Sequence, residues 1–276
     1  MAGLVEATLV EAGMNGLEAR LDPAWDIWGP AGGYVAGIAL SAVRTHAQLG
    51  QRPITLTGQF VSVARPGRLH VQVETVKAGS TALYSVALSQ AERTIFLAQV
   101  WTSSRDNPSL SLMPAMPSVP PPSSLRGQDE LMAERGVDQI AFWRNLEGRP
   151  ANFRLAADPP AAEPHQHRWM RFRDWAPTAD PFVEAMRHLL LIDIGIWPAH
   201  WHRHSAQGGY LAPSLDVWAH FHGGPPAGEW LLSDADADVS GHGTISGRVR
   251  LWSEDGRAVA TGGGHCLVTI PRAKSA

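Results

Sequence analysis

Apolar and polar residues alternate with period two in two separate blocks of the chain, and each block follows a run that is apolar on nearly every side. In the first block, Leu69 to Val76 ("LHVQVETV") reads as a half-buried strand. Ala82, Tyr84, Val86 and Leu88 share one face of the next, "TALYSVALSQ", and the turn Ala91-Glu92-Arg93 leads into "TIFLAQVWTSS". A further strand-like stretch, "PITLTGQFVSVARPG", precedes them and ends in a Pro66-Gly67 turn. The second block repeats the plan: "SLDVWAHFHGGPPAG", "EWLLSDADADV", "TISGRVRLWS", an Asp255-Gly256 hairpin turn and "RAVATGGGHCLVTI".

Three landmarks measure the repeat. Thr57 and Asp216, Gly67 and Gly228, and Arg93 and Gly256 are offset by 159, 161 and 163 residues. A drift of so few residues points to a duplicated unit of about 160 residues, too long for a solenoid repeat. The apolar runs before the blocks predict helices over Gly33 to Gln48 and Pro181 to Trp197. Between the halves, Asn107 to Ser124 holds six prolines and reads as an extended connector, with a short helix expected over Gln128 to Gly136. "FWRNLEGRP" and "HRWMRFRDW" read as the opening strands of the second half. The expected organisation is an N-terminal unit over 1–105, a linker over 106–140 and a C-terminal unit over 141–276. The fold class is α+β, each antiparallel sheet wrapping a buried helix.

Composition narrows the function classes. The 276 residues are 44% hydrophobic and 18% charged, with a formal net charge of −3. This is a globular composition without the basic footprint of a nucleic-acid binder, and no charge run suggests a membrane-surface patch. The first residues carry Glu6 and Glu11 and no basic residue before Arg20, so a secretory leader is not expected. A single cysteine, Cys266, excludes an internal disulfide. The expectation is a cytoplasmic protein that acts on neither nucleic acid nor membrane.

The glycines of "DIWGPAGGYVAGIALSAV" raise the question of a nucleotide loop. Gly29-x-x-Gly32-Gly33 does not have the Gly-x-Gly-x-x-Gly order, and adjacent antiparallel strands follow where a dinucleotide fold needs a βαβ unit. What the segment does resemble, taken in order, is specific. Trp25, Gly29-Pro30, Gly32-Gly33-Tyr34 opening a helix, Arg52-Pro53 before a strand and a Pro-Gly turn are similar to the double-hotdog acyl-CoA thioesterases, the bacterial type II thioesterases and their relatives. "SLD", "EWLL" and "DGRAVA" in the second half agree, and the resemblance spans roughly 15–105 and 165–270.

The resemblance implies hydrolysis of acyl-CoA or a related thioester to a free acid and a thiol, with no cofactor or metal and with self-association into dimers or larger assemblies. It makes Asp216 of "SLDVW" the base that deprotonates the attacking water. Gly32, Gly33 and the Tyr34 N–H become the amides that favour an oxyanion at the helix N-terminus. The packing alternative is that Gly32 and Gly33 only relieve crowding where helix meets sheet. The hydroxyl and glutamine that partner the family's aspartate fall on Asp238 and Gly264, so both are replaced here. Asp236, Asp238, Ser240, His242 and His265 are near enough in sequence to substitute. A non-catalytic acyl-thioester binder is therefore an alternative. So is a hydratase or dehydratase using Asp216 with His220, four residues on and on the same strand face.

Four other features offer chemistry. His200, His202 and His204 alternate in "AHWHRH", as do His165 and His167; with no carboxylate or cysteine at ligand spacing, surface loops are expected rather than a metal. Cys266 in "HCLVTI" reads as a buried small hydrophobe. Asp193 interrupts "LLLIDIGIW" and either lines an acyl pocket or satisfies a core hydrogen bond. Most of the eleven tryptophans are expected in the core and at interfaces.

Overall fold

The computed structural model describes residues 3–13, 16–106, 112–155, 158–205, 209–224 and 228–270. In chain order its α-helices and strands are α1 (Leu4–Ala7), β1 (Glu11–Gly13), β2 (Gly16–Leu21), α2 (Gly32–Arg44), β3 (Arg52–Phe60), β4 (Gly67–Lys77), β5 (Thr81–Gln90), β6 (Arg93–Ser103), α3 (Gln128–Glu134), β7 (Leu146–Pro150), β8 (His165–Phe172), α4 (Pro181–Asp193), α5 (Ile196–His204), β9 (Asp216–Phe221), β10 (Leu231–Gly241), β11 (Thr244–Ser253) and β12 (Ala258–Leu267). The twelve strands form one sheet in the order β1-β2-β4-β5-β6-β3-β9-β12-β11-β10-β8-β7. Going inward from either edge, each half contributes its first, second, fourth, fifth, sixth and third strand. The duplication inferred from sequence offsets is thus a pseudo-two-fold, and its seam is the antiparallel β3–β9 pair with Leu56 opposite Ala219 and Gln59 opposite Asp216.

The two long helices lie inside the curve of the sheet and run antiparallel against each other. Their composition requires this, because Ile38, Leu40, Leu189, Leu190 and Ile192 are all without exposure. Each such side chain contributes about 1.5–3 kcal/mol relative to an exposed one. At the crossing, a Cβ on Gly33 would lie 2.5 Å from the Leu190 Cα, so only glycine allows the helices this approach. The crowding relieved at Gly33 is therefore helix against helix rather than helix against sheet.

Both helices are shorter than the sequence suggests. α2 ends at Arg44 instead of Gln48. α4 ends at Asp193, and the chain turns through Ile194 and Gly195 into a second helix that the alternating histidines disguise. A Cβ on Gly195 would meet Val249 Cγ2 at 2.7 Å, so the turn sits hard against β11. Pro198 lies in the first turn of α5, where its missing N–H costs nothing. Part of the proline-rich connector packs on the outer face of the second half. Met116, Val119 and Leu125 cover Trp169, Leu232 and Trp252, and the Trp169 indole N–H donates to Pro120 O at 2.9 Å. The stretch 107–111 of that connector lies outside the described residues.

Candidate active site at the seam between the halves

The N-terminus of α2 carries no side-chain cap of its own. Its amides find partners elsewhere. The Gly33 N–H donates to Asp193 Oδ2 at 2.7 Å, from the C-terminal end of α4, and the Ser214 hydroxyl donates to Asp193 Oδ1 at 2.8 Å. The Tyr34 N–H bonds back to Ala31 O at 3.1 Å. Of the three residues expected to present amides, Gly33 and Tyr34 thus have their N–H groups engaged within the protein. Between the two readings of Asp193, the geometry selects the core hydrogen bond. Its burial raises its pKa, while Ser214 and the Gly33 amide act in the opposite sense. The Tyr34 side chain acts elsewhere. Its hydroxyl donates to Ala7 O at 2.9 Å and accepts from the Asp22 N–H, tying the N-terminal segment to the helix.

Asp216 opens β9 next to this mouth. Its neighbour Leu215 accepts a hydrogen bond from the Phe60 N–H, and the Phe60 ring reaches to within 2.9 Å of where a Cβ on Gly32 would stand. One carboxylate oxygen, Oδ1, accepts from the His265 N–H at 3.1 Å, and Oδ2 lies 3.6 Å from His265 Nδ1. Gly264 is also beside it: a Cβ there would stand 3.2 Å from Asp216 Oδ1 and 2.3 Å from Asp216 O. The structure therefore brings together Asp216, Gly264 and His265. Asp238 stays apart, at a bulge on β10 between Ala237 and Val239, paired with Arg248 at 3.2 Å. A match made on sequence order alone does not register that bulge. His220 packs against Trp218 and pairs across the strands with Thr55 and Thr261; the imidazole nearest the Asp216 carboxylate is that of His265.

The pseudo-two-fold places a second mouth at the start of α4. Here Asp180 caps its own helix, accepting from the Phe182 N–H at 2.9 Å, and pairs with Arg44 at 2.6 Å. A cavity of about 70 Å³ lies at this end, walled by Arg52 of β3, Phe221 of β9 and Glu184 and His188 of α4. Among the described residues neither Glu184 carboxylate oxygen nor His188 Nε2 has a hydrogen-bond partner; Arg187 Nη1 and His188 Nε2 stand 3.7 and 3.6 Å from Glu184 Oε2. Burial raises the Glu184 carboxyl and lowers the His188 imidazole to about 3. Arg187, fully buried, donates to the carbonyls of Gly228 and Glu229 and lies over the Trp175 ring. From sequence this helix reads as plain core. A clue is nonetheless present: Glu184, Arg187 and His188 are spaced i, i+3, i+4, one stripe of an otherwise apolar helix.

The histidines of "AHWHRH" lie on α5 rather than in surface loops. His200 and His202 are buried, the first bonded to the Tyr210 hydroxyl at 2.5 Å and the second to Gln166 at 3.1 Å. His165 and His167 lie on β8 with Asp234 of β10 against both, a carboxylate the local sequence does not offer. Cys266 is buried, and its thiol is pushed up to about 12, chiefly by burial, so it is no nucleophile at neutral pH.

Residues 21–103 match the model of the acyl-CoA thioesterase N-terminal domain, and residues 115–264 that of the acyl-CoA thioesterase C-terminal domain. Human acyl-coenzyme A thioesterase 8 is 26% identical over 266 residues, covering 85% of this chain and 80% of that protein. The acyl-CoA thioesterase II TesB2 of Mycobacterium marinum superposes with a TM-score of 0.78 at 25% identity, covering 98% of this chain and 99% of that one. A hotdog-fold protein of unknown function from Alicyclobacillus acidocaldarius superposes with a TM-score of 0.81 at 19% identity, covering 98% and 99%, a likeness of fold alone. No helix among the described residues is long and apolar enough to cross a membrane. With both domain models matched in order along the two halves of this double hotdog, the chain belongs to the acyl-CoA thioesterase family.

Proposed function

We propose that the chain hydrolyses an acyl-CoA, or a related acyl thioester, with Asp216 as the base. Asp216 takes a proton from a water, whose oxygen attacks the thioester carbonyl carbon. The tetrahedral oxyanion collapses, the C–S bond breaks and the thiolate leaves, taking up a proton; the products are a free acid and a thiol. The carrying observation is the seat of Asp216 at the seam. One of its oxygens is held by the His265 N–H, and its strand is joined through Phe60 to the Gly32 end of α2. With the Gly33 and Tyr34 amides engaged among the described residues, the Gly32 N–H and the positive end of α2 are left to meet an oxyanion. His265, beside the carboxylate, stands where it can help hold the water.

A second reading rests on the cavity at the other mouth, whose wall includes Glu184 and His188; neither Glu184 carboxylate oxygen nor His188 Nε2 has a hydrogen-bond partner among the described residues. There Glu184 would be the base. One assay separates the two: thiol release from a panel of acyl-CoAs of increasing chain length, for the wild type, Asp216→Asn and Glu184→Gln. A loss of about 10²–10⁴-fold in kcat for Asp216→Asn, with Glu184→Gln near wild type, is the expected result. The reverse pattern moves the chemistry to the α4 mouth. No turnover of any acyl-CoA by the wild type would sink both readings and leave the binding alternative.

A further inference from the structure

We infer that His165, His167 and Asp234 form a binding site for one divalent transition-metal ion, of the Zn²⁺ and Co²⁺ kind, on the outer face of the second half. His165 and His167 lie two residues apart on β8, so both side chains leave the same face of the sheet. β10 pairs with β8 in a register that sets Asp234 directly opposite His167 and Asp236 opposite His165. Both imidazole Nε2 atoms converge on the same oxygen, Asp234 Oδ1, at 3.0 and 3.2 Å. Zinc holds nitrogen and oxygen ligands at about 2.0–2.2 Å, so ligand atoms in a tetrahedral site stand about 3.3 Å apart. Both nitrogens are already near that spacing from Oδ1, and the three donor atoms all lie within 4.8 Å of one another, so an ion displacing the protons between them needs little rearrangement.

The surroundings hold the donors in place. Asp234 Oδ2 accepts from the Trp252 indole N–H at 3.4 Å, which keeps Oδ1 turned toward the histidines. Asn152 brackets β8 by donating to His165 O and accepting from the His167 N–H. Gln166, between the two histidines, points to the opposite face and meets His202 of α5. All three candidate ligands are partly exposed, at 28, 21 and 16%, so an ion can enter and water can complete its coordination. Two imidazoles and one carboxylate suit zinc, cobalt, nickel or copper better than the all-oxygen preference of magnesium or calcium. β11 and β12 lie between β10 and β9, so the site is separate from the seam where Asp216 lies.

The test uses the full chain, prepared without an added histidine tag and stripped with a chelator, then titrated with Co²⁺ and separately with Zn²⁺. The expected result is one ion per chain, visible absorption typical of four-coordinate Co²⁺, and a thermal midpoint that rises with Zn²⁺. His167→Ala and Asp234→Asn should each weaken binding at least about 100-fold, beyond the 10–100-fold typical of an outer-shell change. His46→Ala, at an exposed histidine elsewhere, should leave it unchanged. Should Asp234→Asn fail to fold by circular dichroism, His165→Ala joins His167→Ala in deciding. Absence of a stoichiometric ion in the wild type, or binding that survives loss of these ligands, overturns the site.

Discussion

The two helix mouths solve the same problem in opposite ways. Each helix starts with amides that have no partner inside the helix. At α4 the chain places Asp180 at its own N-cap, partly exposed and paired with Arg44 from the end of α2. At α2 the residues are Gly32 and Gly33, which can cap nothing, and the carboxyl arrives from the far end of α4 as Asp193. The pseudo-two-fold therefore sets a basic residue at the end of one helix and an acidic residue at the end of the other. The first arrangement leaves room for a cavity one turn into the helix, while the second engages the Gly33 amide with a partly buried carboxyl and leaves the Gly32 end of the mouth to a ligand. Symmetric ancestry does not require symmetric chemistry.

The sharpest way to break this contrast is Asp193→Ala. It strands the Gly33 amide and the Ser214 hydroxyl in a partly buried site and opens a void. A loss of about 2–5 kcal/mol is expected, from about 1–3 for each donor left unpaired. Urea unfolding of wild type and variant measures it. A loss under about 1 kcal/mol would mean that water reaches the Gly33 amide, and that the α2 mouth is as open as its counterpart.

Acid should act in opposite senses on the groups that line these mouths. His188 has its imidazole lowered from 6.5 to about 3 by burial first, with Arg187 and His222 adding to it. Between those values the unfolded chain binds the extra proton, so this histidine withdraws stability as pH falls, at about 1.4 kcal/mol per pH unit. Asp193 and Glu184, both raised by burial, bind the extra proton when folded and so add stability as pH falls toward their unfolded values. Urea midpoints at pH 7 and pH 5 should show His188→Gln less sensitive to acid than the wild type. Equal sensitivity would place His188 in water.

Gly33→Ala tests the closeness of the helices. Its Cβ would stand 2.5 Å from the Leu190 Cα and 3.0 Å from the Asp193 Cβ, atoms that cannot swing aside. About 1–3 kcal/mol of destabilisation follows from the forced separation. Because the separation also lengthens the Gly33–Asp193 bond, the double variant with Asp193→Ala should lose less than the sum of the singles.

Much of this was legible in the residues, and most of what was hidden has one cause. Period-two alternation exposed the strands, and the landmark offsets exposed the duplication, because both are local or translational patterns. Asp216 stood out because "SLDVW" resembles the segment that carries the family's aspartate, and Gly264 lies beside it, as the resemblance implied. Contacts made between elements far apart in the chain stayed out of reach. Asp193 meets Gly33 over a separation of 160 positions, and nothing around Asp193 names that partner. Asp234 reaches His165 and His167 only because β10 pairs with β8 across the sheet, skipping β9 in the chain. The α5 histidines misled for a different reason: alternation over three positions fits a strand, while helix spacing brings only His200 and His204 together, their rings 4.1 Å apart.

The smallest effect should come from Arg44→Ala, and its smallness is the point. The Arg44–Asp180 pair mirrors the Asp193–Gly33 contact across the pseudo-two-fold, at a similar 2.6 Å against 2.7 Å. Distance alone would rank them equal. Yet the Arg44 side chain is 44% exposed and water screens the pair, whereas Asp193 is partly buried and held by two hydrogen bonds. Removing Arg44 leaves Asp180 hydrated and still accepting from the Phe182 N–H, so the cap survives its partner. A change below about 1 kcal/mol is expected, shrinking further as salt is raised. A loss comparable to that of Asp193→Ala would show that burial is not what separates the two mouths, and that the arginine, not Asp180, holds the start of α4 in place.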